Sequence, residues 1–167
     1  MHKAIISSLA LVLLLVTPPL AKAQDESLLV VGVERIIKNK EPNWRYIRGI
    51  QSGRVPRVPS EKILVTSLWE RKRKNGKREG VSVNIYEVSS VSEAGRWLNP
   101  ISAGEITSSW KVEKYQIGDE AYLSKFQNGR RYSLHFRKNN IVIEVSGESL
   151  DSVTRFAQYV VSGITAI

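Results

Sequence analysis

Apolar and polar residues alternate along several short stretches of this chain, a pattern typical of half-buried β-strands. Two such stretches in 62–88 flank Asn75-Gly76, a pair that favours a tight turn between antiparallel strands. The segment therefore predicts a β-hairpin. Its returning strand carries apolar residues on one face: Val81, Val83 and Ile85.

The second half of the chain repeats this pattern before ending in an apolar stripe. Turn residues at Gly118-Asp119, Asn128-Gly129 and Asn139-Asn140 separate alternating segments, which predicts four further strands. After Ser149, the predicted helix cap, the apolar residues recur at helical spacing. They are Leu150, Val153, Phe156, Ala157, Val160, Val161 and Ile164. The stripe predicts a C-terminal helix.

A second helix is predicted between the two halves. Ser90 and Glu93 have the spacing of a capping box, and Asn99-Pro100 is expected to end the helix. Each half of the chain is then predicted to contain β-hairpin strands followed by a helix. This order predicts an α+β fold, with an antiparallel sheet built from two hairpin-plus-helix units and helices packed on one face.

Before the first predicted hairpin, in residues 28–60, the pattern of apolar and polar residues is less regular. The β-branched run favours a strand at 28–33, although the later spacing would also suit a helix. Residues 39–60 are rich in proline, glycine and basic side chains, and they predict a long loop. Within it, Trp44 flanked by Arg45 and Arg48 is a candidate for gripping an anionic ligand, with anchoring of the loop as the alternative.

Residues 1–23 have the order of a secretory signal peptide: a basic start, a 13-residue apolar run and small residues before a cleavage point after Ala23. The run is shorter than the roughly 20 residues that a spanning helix needs. We therefore expect one extracytoplasmic domain at 24–167, periplasmic or secreted, with no transmembrane span after cleavage.

The net charge and the absence of cysteine limit the kinds of function that this chain can have. The chain carries a net charge of +9, and loss of Lys3 and Lys22 with the leader leaves +7. A basic surface favours anionic partners, here phospholipid head groups or acidic polysaccharide, with a protein partner as the alternative and no specific nucleic acid. The chain has no cysteine, which excludes disulfides, a thiol nucleophile and a lipid-modified cysteine. No motif calls for a cofactor or a metal.

The segment 71–78 concentrates this charge, since six of its eight residues are basic. Strand alternation sends Arg71 and Arg73 to one side and Lys72 and Lys74 to the other. The segment either binds polyanions or is a solvated hairpin end that prevents edge-to-edge pairing. The candidate binding residues are Arg71, Lys72, Arg73, Lys74, Lys77 and Arg78.

His135 is the only histidine after residue 23 and is expected on the polar, solvent-facing side of its strand. A small hydrolase centred on His135 would need a serine and a carboxylate brought to it by the fold. The favoured interpretation is a non-enzymatic binding or accessory module. The alternatives are that hydrolase and a purely structural envelope protein.

The run Ile117-Gly118-Asp119-Glu120-Ala121-Tyr122, followed by a hairpin, by 141–146 and by a terminal helix, resembles a pattern in uncharacterised bacterial secreted and sensor-type domains. Those domains have a PsbP-like α+β sandwich. The resemblance covers Tyr115 to Ile164. It implies that the glycine turns the chain and the tyrosine packs, and it carries over no catalytic residue. It also implies an extracytoplasmic setting, although many such proteins are anchored through a cysteine that this chain lacks.

Overall fold

The computed structural model describes residues 28–48, 62–103 and 109–165, and within them it contains three helices and seven strands. The predicted leader and the stretch 49–61 of the predicted loop lie outside these ranges. In chain order the elements are α1 (Leu28–Lys40), β1 (Arg45–Arg48), β2 (Lys62–Lys72), β3 (Arg78–Glu87), α2 (Val91–Ser102), β4 (Trp110–Lys114), β5 (Glu120–Phe126), β6 (Tyr132–Lys138), β7 (Ile141–Gly147) and α3 (Leu150–Thr165).

The seven strands form one sheet in the order β1-β2-β3-β7-β6-β5-β4, and every neighbouring pair is antiparallel. The first unit is the β2–β3 hairpin followed by α2. The second is the β4–β7 meander followed by α3. Pairing of β7 with β3 joins the two units into a continuous sheet. The predicted α+β fold with an antiparallel sheet is confirmed.

One face of the sheet carries the larger core, beneath α1 and α3. The predicted apolar stripe of α3 is buried at Val153, Phe156, Ala157 and Val160. The Phe156 ring lies 5.9 Å from that of Trp69 on β2 in an edge-on arrangement. The C-terminal helix therefore packs as its 3.6-residue spacing predicts.

α2 covers a separate, smaller core. Val142 and Ile143 are neighbours on β7, yet Val142 belongs to the core of α2 and Ile143 to that of α3. Successive side chains on a strand point to opposite faces, so α2 packs on the opposite side of the sheet. Helices α1 and α3 pack on one face of the sheet, as predicted, and α2 forms an additional layer on the other face. The ring of Trp97 on α2 lies 5.7 Å from that of Tyr86 on β3.

The strand predicted at 28–33 is wrong, because this segment is the start of helix α1. Val33 and Ile37, four residues apart, are both buried in the larger core. Val33 packs against Gly163 of α3, where the missing side chain lets the two helices approach closely. Contact with a distant helix thus overrides the local preference of β-branched residues for strands.

The predicted loop at 39–60 needs a similar correction in its first part. Residues 39 and 40 end α1, and Arg45–Arg48 forms the edge strand β1 on β2. Tyr46 on β1 packs its ring 4.9 Å from that of Trp69. Aromatic packing against the core therefore orders 45–48, the described end of a stretch that its prolines and glycines predict to be irregular.

The start of α2 is confirmed, but its predicted end is wrong. The Ser90 side chain accepts a hydrogen bond from the backbone N–H of Glu93 at 3.1 Å, as the capping box predicts. The helix continues through Pro100 to Ser102. Ile101 is fully buried in the core of α2, and this burial stabilises a last turn in which proline removes one backbone hydrogen bond.

Candidate anion-binding site

The end of the β2–β3 hairpin is a tight turn with defined hydrogen bonds. Gly76 adopts a positive φ of 78°, which glycine tolerates without steric penalty. The N–H of Gly76 donates to the carbonyl of Arg73 at 2.9 Å, and the Asn75 side chain accepts from the N–H of Lys77 at 3.1 Å. The predicted Asn-Gly turn is confirmed, and it fixes the direction of the flanking basic side chains.

The arginines of segment 71–78 on one face are bound to a buried carboxylate. Glu79 is only 1% exposed and accepts hydrogen bonds from Arg71 at 2.8 Å, from Arg73 at 3.0 Å and from the Ser152 hydroxyl at 2.8 Å. Burial by itself raises the pKa of Glu79, but hydrogen bonds from Arg73, Ser152 and Arg71 outweigh it and hold the pKa at about 2. Arg71 and Arg73 therefore neutralise Glu79 and tie the hairpin to α3.

Trp44 belongs to the same structural cluster. Its side chain is 5% exposed, its ring lies 4.9 Å from that of Phe156, and the Arg71 guanidinium sits 4.7 Å from its ring centre. A cation over an indole face is a favourable contact. The prediction of a ligand-facing Trp44 is corrected, because the indole is buried among residues of the core.

Arg45 and Arg48, the arginines near Trp44 in sequence, are both part of strand β1. Arg45 is largely exposed and forms an ion pair with Glu70, its partner on β2, at 3.4 Å. The backbone of Arg48 pairs with that of Ser67 in the same ladder. Exposed ion pairs of this kind contribute little to stability. The Arg45 side chain is paired with Glu70, which does not support its predicted role in gripping a ligand.

Four basic residues of segment 71–78 remain exposed, and we call them the cationic tip: Lys72, Lys74, Lys77 and Arg78. No ion pair involves their side chains within the described ranges. Lys72 and Arg78 are also direct cross-strand partners. Like charges in this position repel by roughly 0.2–1 kcal/mol. The cationic tip is therefore the part of the predicted site that is open to an anion.

Two cavities border the hairpin. One, of about 380 Å³, lies beside the start of α3, and its charged lining residues are two cations and two carboxylates: Arg71, Arg73, Glu79 and Glu148. The other, of about 600 Å³, lies on the opposite face of the sheet, between β3 and the β5–β6 turn. The second cavity is of a size that small ligands occupy.

His135 is buried rather than solvent-facing, which corrects the prediction. It is 4% exposed, lies opposite Glu144 of β7 and packs its ring 6.3 Å from that of Trp97. Because α2 covers this part of the sheet, a residue on the polar side of its strand is still removed from water. His135 lines neither cavity. The described residues also contain no cluster of three or more His, Asp or Glu that could hold a metal ion.

Comparisons with protein-family models, curated proteins and solved structures found no match. The resemblance to PsbP-like domains therefore stays a prediction. The two roles it implies fit the geometry, since Gly118 turns the chain at φ 62° and Tyr122 packs against the core of α2. In the described part of the chain, no helix has the length and apolar character needed to cross a membrane.

Proposed function

We propose that this protein is a non-enzymatic binding module that attaches to an anionic polymer or surface through its cationic tip. The observation that carries the proposal is the division of charge in segment 71–78. Arg71 and Arg73 form ion pairs with the buried Glu79, whereas the four basic side chains of the cationic tip have no acidic partner among the described residues. Holding Lys72 opposite Arg78 without compensation is unfavourable until an anion binds.

The predicted leader supports an extracytoplasmic setting for this activity. Outside the cytoplasm, phosphate-rich head groups and acidic polysaccharides are abundant anionic partners. The net charge of +7 after removal of the leader favours approach to such surfaces, because long-range attraction raises association rates.

The test measures binding to long-chain inorganic polyphosphate, a linear polyanion that contains no sugar or aromatic rings. Lys72, Lys74, Lys77 and Arg78 are replaced together by Ser, which leaves the Glu79 contacts intact. We expect binding by the parent to weaken roughly 50- to 150-fold between 50 and 200 mM salt if four cations are engaged. The quadruple variant should lose most of the affinity and most of that salt dependence.

The matched control replaces four exposed cations elsewhere: Arg35, Arg96, Lys111 and Lys114. It changes the net charge by the same amount, so it separates a local site from overall charge. Equal losses in the two quadruple variants would refute the cationic tip as the binding site.

A further inference from the structure

Four serines form a continuous row across the sheet face that α2 only partly covers. The cross-strand partners are Ser82 with Ser146, Ser146 with Ser133, and Ser133 with Ser124. We call this set the serine row. The hydroxyls of Ser133 and Ser146 are hydrogen-bonded to each other, and the Ser124 hydroxyl is buried without a partner among the described residues. A sheet face in this position would ordinarily carry apolar residues if it served only packing.

The cavity of about 600 Å³ opens on the serine row, and we call it the aromatic cavity. Its floor includes Ser82 and Ser146, one wall is the Trp110–Phe126 pair, and the β5–β6 turn adds Arg130 and Arg131 at the rim. The two aromatic rings lie 5.3 Å apart at 68°, and both are only partly buried.

The charge at the rim of this cavity is not balanced. Arg130 and Arg131 are exposed and have no ion pair within the described ranges. Glu148 is the acidic residue that also lines the cavity. Hydroxyl groups, an aromatic wall and two arginines thus converge on one concave site, the combination expected where a ligand is held.

The aromatic cavity and the cationic tip lie on the same face of the β2–β3 hairpin. The pairs Leu68 with Ser82 and Lys72 with Arg78 are four residues apart in register, with Gly80 between them. Residues two apart share a face, so the tip pair follows the cavity floor at a distance of roughly 13 Å. A chain-like anion can therefore contact both.

We propose that the aromatic cavity binds one sugar residue of an anionic polysaccharide, whose neighbouring charged residues extend to Lys72 and Arg78. Sugar hydroxyls match the hydroxyls of Ser82 and Ser146, the apolar face of a sugar ring matches the half-buried indole of Trp110, and a carboxylate, sulfate or phosphate substituent matches the arginines. The proposal deepens the proposed function and rests on it only for the contact at the cationic tip.

The test compares a heparin hexasaccharide with inorganic polyphosphate of equal charge by isothermal titration calorimetry. Trp110→Ala should weaken hexasaccharide binding about tenfold, since one well-placed aromatic contact has that magnitude. It should weaken polyphosphate binding less than about twofold. Trp110→Phe should restore most of the hexasaccharide affinity, which distinguishes a lost ring contact from a folding defect.

A second variant closes the cavity without touching its polar groups. A Cβ on Gly80 meets no atom closer than 3.8 Å, so a side chain can begin there without a clash, and we expect that of Gly80→Leu to occupy the cavity that Gly80 lines. It should reduce hexasaccharide affinity by about tenfold or more and leave polyphosphate binding unchanged. Gly95→Leu on α2, where nothing lies within 4 Å, is the control and should bind like the parent.

Equal losses for the two probes, or no loss for the hexasaccharide, would overturn the proposal. So would tighter, Trp110-dependent binding of a short single-stranded DNA than of the hexasaccharide, since that result assigns the cavity to a nucleic acid. Failure of the cationic tip alone is recognised separately: the quadruple Ser variant would then keep its polyphosphate affinity while the Trp110 and Gly80 variants still lose the saccharide.

Discussion

Replacing Glu79 by Gln tests how the β2–β3 hairpin is attached to α3. The carboxylate is buried, accepts hydrogen bonds from Arg71, Arg73 and Ser152, and has a pKa of about 2 against an ordinary value of 4.5. A difference of this size corresponds to about 3 kcal/mol of stability at neutral pH. Because the Arg71 and Arg73 side chains are 30% and 36% exposed, solvent screening lowers our expectation for Glu79→Gln to about 2 kcal/mol.

The pH dependence identifies the charge as the cause. The pKa of Glu79 is lower in the folded state, so its contribution is complete above the unfolded pKa of 4.5 and is lost as the pH falls toward 2. The free energy of unfolding, measured by urea denaturation with tryptophan fluorescence, should differ between parent and Glu79→Gln by about 2 kcal/mol at pH 7 and about half of that at pH 3.

Glu148→Gln is the control for that experiment, because Glu148 is an exposed carboxylate beside the same arginines. Its effect should stay within about 0.5 kcal/mol at both pH values. A gap between parent and Glu79→Gln that is the same at pH 7 and pH 3 would refute the reasoning, since the stabilisation would then not come from the ionised carboxylate.

Glycine positions offer further tests by thermal or urea unfolding. Gly163→Ala places a Cβ 2.7 Å from a methyl group of Val33 and should destabilise the protein by about 1–3 kcal/mol, whereas Gly32→Ala meets no atom within 4 Å and should stabilise α1 by about 0.5–1 kcal/mol. Gly118→Ala should destabilise by at least about 1 kcal/mol, because its φ is +62° and its Cβ would clash with the Arg137 carbonyl oxygen. Similar melting temperatures for parent, Gly163→Ala and Gly118→Ala would contradict the helix contact and the turn.

The parts of the fold that could be predicted are those that nearby residues decide. The turn at Gly76, the cap at Ser90 and the buried stripe of α3 depend on short-range chemistry, and the structure confirms all three. Helix α1 was not predictable in the same way, because it is stabilised by contact with Gly163, more than a hundred residues further along the chain.

In the candidate anion-binding site, too, only the features that neighbouring residues decide could be predicted. Strand alternation correctly separates Arg71 and Arg73 from Lys72 and Lys74, since only the two arginines reach Glu79. Glu79 also accepts a hydrogen bond from Ser152 of α3, a contact across 73 residues that no local pattern indicates. The environment of Trp44 also depends on long-range packing. The Arg71 guanidinium lies over its buried ring, so that ring does not face a ligand.

The aromatic cavity was missed because its residues meet only through long-range register. Ser82 and Ser146 are 64 residues apart and become partners when β7 pairs with β3. The signal available in the sequence was one serine in each of four strands, β3, β5, β6 and β7. Without the strand order, those serines read as ordinary solvent-facing residues, as did His135, which α2 in fact covers.

Binding of an anion by the cationic tip is tested most directly by the salt dependence of polyphosphate binding, measured for the parent and for the variant with Lys72, Lys74, Lys77 and Arg78 replaced by Ser. We expect the slope of log affinity against log salt concentration to become shallower by about 3 in the variant, since each engaged cation contributes about 0.7–0.9. An unchanged slope would contradict it, because the anion would then be held by charges other than those of the cationic tip.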